Sequence, residues 1–195
     1  MNSHRTQLSM AVTSGLLGLL SGVLSSSTIL LRFPGTSQSP VMWLPGFVFA
    51  LVVLLPISRW TGDGWQRTVG AIVASSAIYP FAHQFAAESA IGHSSAFIVA
   101  AVAFSGLVGS SVLAATFLFG RPFFARSATV TVILGTAIGA LSGAYLLIPT
   151  SHPSLGLRLG VILVVWQSVV GASLGRGALG LPNQTLQPTA AQRPV

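Results

Sequence analysis

Four residues whose side chains bind metal ions or titrate near neutral pH lie at or beyond the ends of two predicted helices. His83, Glu88 and His93 follow one another at spacings of five, and His152 lies in a later loop. Imidazole and carboxylate groups are ligands for Zn²⁺, and histidine also titrates near neutrality. These four residues form a candidate metal site on the predicted outer face. A spacing of five does not keep side chains on one helix face, so solvated loop residues are the interpretation that the spacing favours.

Residue types needed for several other chemistries are absent. The chain has no cysteine, which excludes disulfides, thiolate metal sites and a cysteine nucleophile. It contains neither a phosphate-binding G-x-x-x-x-G-K loop nor an H-E-x-x-H motif. Ser105 lies within an apolar segment with no histidine at a comparable depth to act as its base. The sequence therefore predicts no enzymatic activity and no cofactor.

The composition is that of a protein whose solvent is a lipid bilayer. Of 195 residues, 52% are hydrophobic and 6% are charged, whereas a soluble domain is about 25% charged. The sequence pI of 11.9 comes from nine scattered arginines and no lysine. A nucleic-acid interface requires clustered positive charge on one face. We therefore expect the bilayer as the main partner and no nucleic acid.

Apolar segments of about 20 residues, the length that crosses a hydrocarbon core, recur along the chain. We predict an all-α integral membrane protein in which residues 1–181 form a bundle of six transmembrane helices, followed by a disordered cytoplasmic tail at 182–195. The third span is the most polar of the six. The predicted spans are 8–31, 41–57, 68–87, 94–119, 127–148 and 157–175.

The arginines predict the orientation of the bundle. With the N-terminus inside, seven arginines fall on the inner side, and only Arg32 and Arg158 fall outside. This distribution follows the positive-inside rule and places both termini inside, in a bacterial-type inner membrane. As an alternative, residues 1–27 could be a cleaved secretory signal, which would leave five spans.

Glycines at spacings of four lie on several predicted spans. Gly135, Gly139 and Gly143 share one face of the fifth span, and such a face lets another helix backbone approach closely in lipid. We interpret these glycines as helix-packing positions; self-association through the fifth span, or faces that line a path, are the alternatives. The other packing positions are Gly18, Gly22, Gly106, Gly109, Gly171 and Gly175.

The segment Trp43-Leu44-Pro45-Gly46, followed by an apolar run and Trp60, resembles the W-x-P-x-G motif of membrane-associated sensor (MASE-type) domains in bacterial signalling proteins. The resemblance covers residues 43–60, and its glycine stands one place early. It implies a sensor-like or accessory role and carries over no functional residue.

These features predict a non-enzymatic membrane component: an accessory subunit, an assembly factor or a sensor-like bundle that contacts lipid and other membrane proteins. The alternative is a small permease or channel that acts as an oligomer. A polar or solvent-connected cavity at mid-membrane lined by Gln167, Ser75, Ser76 or Ser105 would favour the permease. Packing of apolar side chains against glycine faces there would favour the non-enzymatic component, with Gln167 bonded to a neighbouring helix.

Overall fold

The computed structural model describes residues 2–30, 43–89, 94–121, 124–149 and 155–178, which are helical apart from short turns. Five of the described helices contain a segment long and apolar enough to cross a membrane. The predicted all-helical class is thereby confirmed for the described residues, and five such helices fit a multi-pass membrane protein. The predicted disordered tail at 182–195 lies outside the described residues. The helices are α1 (Asn2–Leu30), α2 (Leu44–Thr61), α3 (Trp65–Ser89), α4 (Ser95–Leu118), α5 (Phe124–Leu146) and α6 (Leu155–Ala178).

The α6 helix is longer than the predicted sixth span. α6 covers Leu155–Ala178 instead of 157–175, so it includes both Arg158 and Arg176. Arg176 is exposed, and the Arg158 guanidinium donates to backbone carbonyl groups. A charged side chain that reaches water or hydrogen-bond acceptors does not need to end a membrane helix. The candidate membrane span within α6, Leu157–Ala178, starts at the predicted residue and ends three residues beyond the predicted end.

The α2 helix contains a change of helical geometry near its centre. It covers Leu44–Thr61 and thus ends four residues beyond the predicted end at 57. Positions 41 and 42 of the predicted span lie outside the described residues. Its middle, Ala50–Leu54, is π-helical, and Pro56 follows shortly after. Because proline has no backbone N–H, the regular hydrogen-bond ladder cannot continue through it, and a π turn accommodates the interruption.

The α3 helix is the one of these six helices without a segment apolar enough to be a candidate membrane span, because its polar residues lower its mean hydropathy. It runs over Trp65–Ser89 and passes through Pro80. The Ser75 hydroxyl donates to the Gly46 carbonyl of α2 over 2.8 Å. The Ser76 hydroxyl donates to the carbonyl one turn earlier in α3, also over 2.8 Å. Both hydroxyls are thus hydrogen-bonded within the protein, which removes most of the cost of burying them.

The glycine row of α5 packs on α4. A Cβ on Gly139 would lie 2.6 Å from the Val102 carbonyl oxygen, and one on Gly143 would lie 2.7 Å from Val99 Cα. Gly135 faces Gly106 of α4, where each glycine approaches the other's backbone. All three glycines of the row therefore pack against α4, which covers this face of α5 against contact with a second copy of the protein.

A second close pair is formed by α1 and α6. Gly18 and Gly22 of α1 lie against the backbone of α6 at Gln167 and Val164. From the opposite side, a Cβ on Gly171 would lie 2.8 Å from the Ser14 carbonyl oxygen of α1. The remaining two predicted packing glycines also have close neighbours: Gly175 lies on Ser14, whereas Gly109 of α4 faces the Trp166 ring.

The interior of the bundle is filled at one end only. The apolar core joins α2, α4 and α6, and its largest side chains are fully buried. Toward the other end, the space between α3, α4, α5 and α6 contains a cavity. The principal core residues are Phe49, Leu54, Ile57, Leu113, Phe117, Leu118, Val170 and Leu174.

Candidate functional site

The candidate functional site is a cavity of about 100 Å³. Four helices line it, through positions within 75–82 of α3, 102–113 of α4, 139–146 of α5 and 159–166 of α6. No charged side chain is among the lining residues. The lining instead consists mainly of aliphatic side chains, with Trp166 and Tyr79 at its sides and the Gly106–Gly139 contact behind it.

Three serines line the cavity, and two of them already have hydrogen-bond partners. Ser75 donates to the Gly46 carbonyl, and Ser105 donates to the Ala101 carbonyl one turn earlier, over 3.0 Å. The third, Ser142, is 6% exposed, and its hydroxyl makes no hydrogen bond within the described part of the chain. Apart from these three serines and the Tyr79 phenol, the lining is apolar.

The cavity is buried on its α4 and α5 side and partly exposed on its α3 and α6 side. Ser105 and Ser142, from α4 and α5, are buried, whereas Ile78 of α3 and Ile162 of α6 retain intermediate exposure. Among the described helices, α3 and α6 are not a packed pair. The cavity is thus a cleft whose more exposed side is formed by α3 and α6.

Gln167 does not line this cleft. It is fully buried and lies on the α1 side of α6, where its amide nitrogen donates to the Ser25 hydroxyl over 3.3 Å. Its amide oxygen has no hydrogen-bond partner in the described part of the chain. Gln167 therefore joins α6 to α1, as expected for a hydrogen-bonding residue between helices.

A cluster of charged and polar groups joins three segments at one end of the bundle, which we call the Arg121 end. Arg121 forms a salt bridge with Asp63 and donates to the Ala178 carbonyl over 3.0 Å. Two glycines with positive φ, Gly62 at 70° and Gly120 at 73°, make the turns that precede the two charged residues. Burial lowers the pKa of Arg121, and the Asp63 carboxylate opposes that shift.

The opposite end, which we call the Arg158 end, has its own arginine contact. Arg158 is 8% exposed, and it donates to the carbonyls of Leu146 and Ile148 over 2.9 and 2.5 Å. Its guanidinium also lies 5.7 Å from the centre of the Tyr145 ring. These carbonyls lie at and just beyond the end of α5 and lack helical partners, so a cation is favourable there.

The candidate metal site remains a prediction. His93 and His152 lie outside the described residues, as does the side chain of His83. Glu88 is exposed and accepts a hydrogen bond from Gln84 over 2.7 Å. Within the described residues, no three histidine, aspartate or glutamate side chains come together.

Sequence reasoning did not identify the Asp63–Arg121 pair or the cleft. One signal for the pair was available, since Asp63 is one of only two acidic residues and stands next to two predicted spans. An isolated carboxylate at a membrane boundary needs a cationic partner. No signal in the sequence distinguished Arg121 from the other inner arginines.

Three comparisons with known proteins identified no relative of this chain. No family model, no curated protein and no solved structure matches the chain. The resemblance of residues 43–60 to sensor domains therefore gains no support from a family match.

Proposed function

We propose that this protein is a non-enzymatic, multi-pass component of the bacterial inner membrane that acts as a sensor-like or accessory bundle. The observation that carries the proposal is the apolar character of the cleft. A permease for a polar solute needs polar groups along its path. Here Ser75 and Ser105 donate to backbone carbonyls, and Gln167 lies on another face of α6.

We further propose that α3 also crosses the membrane, which gives six spans with both termini inside. Its 25 residues are about 37 Å long at 1.5 Å per residue, enough for a core of about 30 Å. The hydroxyls of Ser75 and Ser76 are hydrogen-bonded within the protein. The contacts of Arg121 with Asp63 and Ala178 support this topology because they bring the start of α3 and the ends of α4 and α6 to one end.

A reporter fusion at Gly120 tests the topology. If α3 crosses the membrane, this turn lies on the same side as the turn at Gly62, and a cytoplasmic reporter is active at both positions. If α3 does not cross, the two turns lie on opposite sides. Activity of a periplasmic reporter at Gly120 and of a cytoplasmic one at Gly62 would contradict six spans.

The proposed role is tested by purification with native lipids, followed by mass spectrometry and a liposome flux assay. We expect stoichiometric lipid or protein partners and no flux of small polar solutes above that of protein-free liposomes. Flux that disappears when the cleft is blocked by Ile162→Phe, but not in the exposed control Val161→Phe, would favour the permease instead. Val161 is 45% exposed and lies next to Ile162 on α6.

A further inference from the structure

We propose that the cleft between α3 and α6 binds one hydrocarbon chain of a membrane lipid, with the lipid's ester carbonyl accepting a hydrogen bond from Ser142. The inference rests on the proposed insertion of the bundle in a membrane, and it adds a ligand to the cleft. Three features support it: the shape of the cleft, its lining and the position of the Ser142 hydroxyl.

The shape of the cleft fits a chain. Along α6 the lining extends from Leu159 to Trp166, about 10 Å at 1.5 Å per residue. A volume of about 100 Å³ spread over that length is narrow. A compact cavity of about 150 Å³ with an aliphatic and aromatic lining is large enough for benzene. The smaller, longer cleft therefore suits a linear hydrocarbon better than a ring system.

The lining excludes charged and strongly polar ligands. Aliphatic side chains dominate it, and the hydroxyls of Ser75 and Ser105 are engaged with backbone carbonyls. A ligand with several polar groups would lose its hydration without gaining enough partners, which disfavours its binding. A hydrocarbon chain has no such cost, and it gains the dispersion contacts that an empty cleft lacks.

Ser142 supplies a single polar contact at the correct depth for a lipid ester. It is buried, with an exposed fraction of 6%, and it lines the cleft. It lies one turn before the end of α5 at Leu146, about 6 Å along the helix axis. A chain that descends from there toward Trp166 keeps its ester near the membrane boundary and its methylene groups in the cleft.

The source of the chain is the surrounding bilayer. The more exposed side of the cleft is formed by α3 and α6, whose outward side chains are apolar and exposed, such as Val73 at 60% and Val165 at 43%. In the proposed orientation, acyl chains of neighbouring lipids contact these surfaces directly. A lipid chain can therefore enter sideways, without passing through water.

Trp166 is a reporter inside the cleft. The other three tryptophans, Trp43, Trp60 and Trp65, are exposed at helix ends, so their replacement by phenylalanine leaves Trp166 as the only tryptophan fluorophore. We would reconstitute this variant in vesicles of phosphatidylcholine with dibrominated acyl chains, since bromine quenches tryptophan on contact. The expected result is strong quenching of Trp166.

Cleft-filling variants distinguish a bound chain from bulk lipid. Ala82→Leu places a larger side chain in the cleft from α3, and Ala77→Leu is the matched control on the exposed face of the same helix. We expect quenching to fall at least twofold in Ala82→Leu and to remain unchanged in Ala77→Leu. Ile162→Phe, with Val161→Phe as its control, repeats the test from α6 if Ala82→Leu does not fold. Equal quenching in the filled and control variants of a folded pair would overturn the proposal.

The role of Ser142 is tested with two lipids that differ in one group. Brominated diester and diether lipids differ by the carbonyl that the hydroxyl would contact. We expect the diester lipid to bind roughly two- to tenfold more tightly, the range of one hydrogen bond, and Ser142→Ala to abolish the preference. Equal binding of both lipids by the parent protein would contradict the ester contact.

Insertion and topology are tested separately, by flotation with the vesicles and by the Gly120 reporter fusion. A protein that floats with the vesicles and has the expected topology, but shows equal quenching in the filled and control variants, lacks the lipid site. A protein that does not float lacks the proposed membrane insertion. Failure of the lipid site is therefore distinguishable from failure of the proposed function.

Discussion

Asp63 and Arg121 form a salt bridge across 58 positions of sequence, and both side chains are buried, at 6% and 7% exposure. The pair joins the turn between α2 and α3 to the turn between α4 and α5. Arg121 also donates to the Ala178 carbonyl at the end of α6. Three distant segments are thus joined at one end of the bundle by a single guanidinium group.

Loss of one partner of this pair should destabilise the protein strongly. Asp63→Asn leaves the Arg121 guanidinium buried without a counter-charge, and such a change costs about 3–5 kcal/mol. Arg67→Gln removes the second, more exposed ion pair of Asp63, in which Arg67 is 36% exposed, and it should cost less than about 1 kcal/mol. Unfolding by SDS in mixed micelles measures both; equal losses would show that the buried pair has no special role.

Removal of both charges should recover much of the loss. In Asp63→Asn combined with Arg121→Gln, no uncompensated charge remains, and neutral replacement of a buried pair is often tolerated. We expect the double variant to be more stable than Asp63→Asn alone in a double-mutant cycle. A strictly additive cycle would indicate that the two side chains act independently.

The Arg158 contact should depend on the shape of the guanidinium group. Arg158 donates from two nitrogens to two carbonyls at the end of α5, whereas a lysine has a single nitrogen. Arg158→Lys should therefore lower the free energy of unfolding by about 1.5–3 kcal/mol. Arg176→Lys, at an exposed position of the same helix, is the control, and its stability should equal that of the parent. The same SDS titration applies.

The glycine row of α5 should not accept a side chain. In Gly139→Ala, the new Cβ would lie 2.6 Å from the Val102 carbonyl oxygen, and because both atoms belong to backbones that cannot rotate away, we expect a loss of about 1–3 kcal/mol. Gly139→Leu should disrupt the bundle. Gly70 of α3 has open space around its Cβ position, so Gly70→Ala should not lower stability. Size-exclusion chromatography and SDS unfolding report both effects; normal accumulation of Gly139→Leu would contradict the packing.

Replacement of Gln167 by an apolar residue of similar size should have little effect. Gln167→Leu loses the hydrogen bond to Ser25 but also removes a buried amide oxygen without a partner. Hydrogen bonds between membrane helices contribute about 0.6 kcal/mol on average, so the net change should be below about 1 kcal/mol. Gln167→Ala, which leaves a void, should cost more. A large loss of stability in Gln167→Leu would reveal an unrecognised partner.

The sequence determined the class of the protein and the positions of its helices. Low charge and repeated apolar segments of spanning length indicate a multi-pass membrane protein, and in lipid the backbone of such segments can be satisfied only within helices. The spacing of Gly135, Gly139 and Gly143 determined that one face of α5 accommodates a neighbouring backbone. These properties depend on residues a few positions apart, which local periodicity records.

Tertiary structure decided which elements meet. Glycine rows occur on several helices, and nothing in their spacing specified that the row of α5 faces Val99 and Val102 of α4. Asp63 meets Arg121, which is distant in sequence, because the turns at Gly62 and Gly120 bring these two residues together. The cleft exists because α3 and α6 do not pack against each other beside the close contact of α4 with α5. Such arrangements depend on the simultaneous packing of distant segments, which no local pattern encodes.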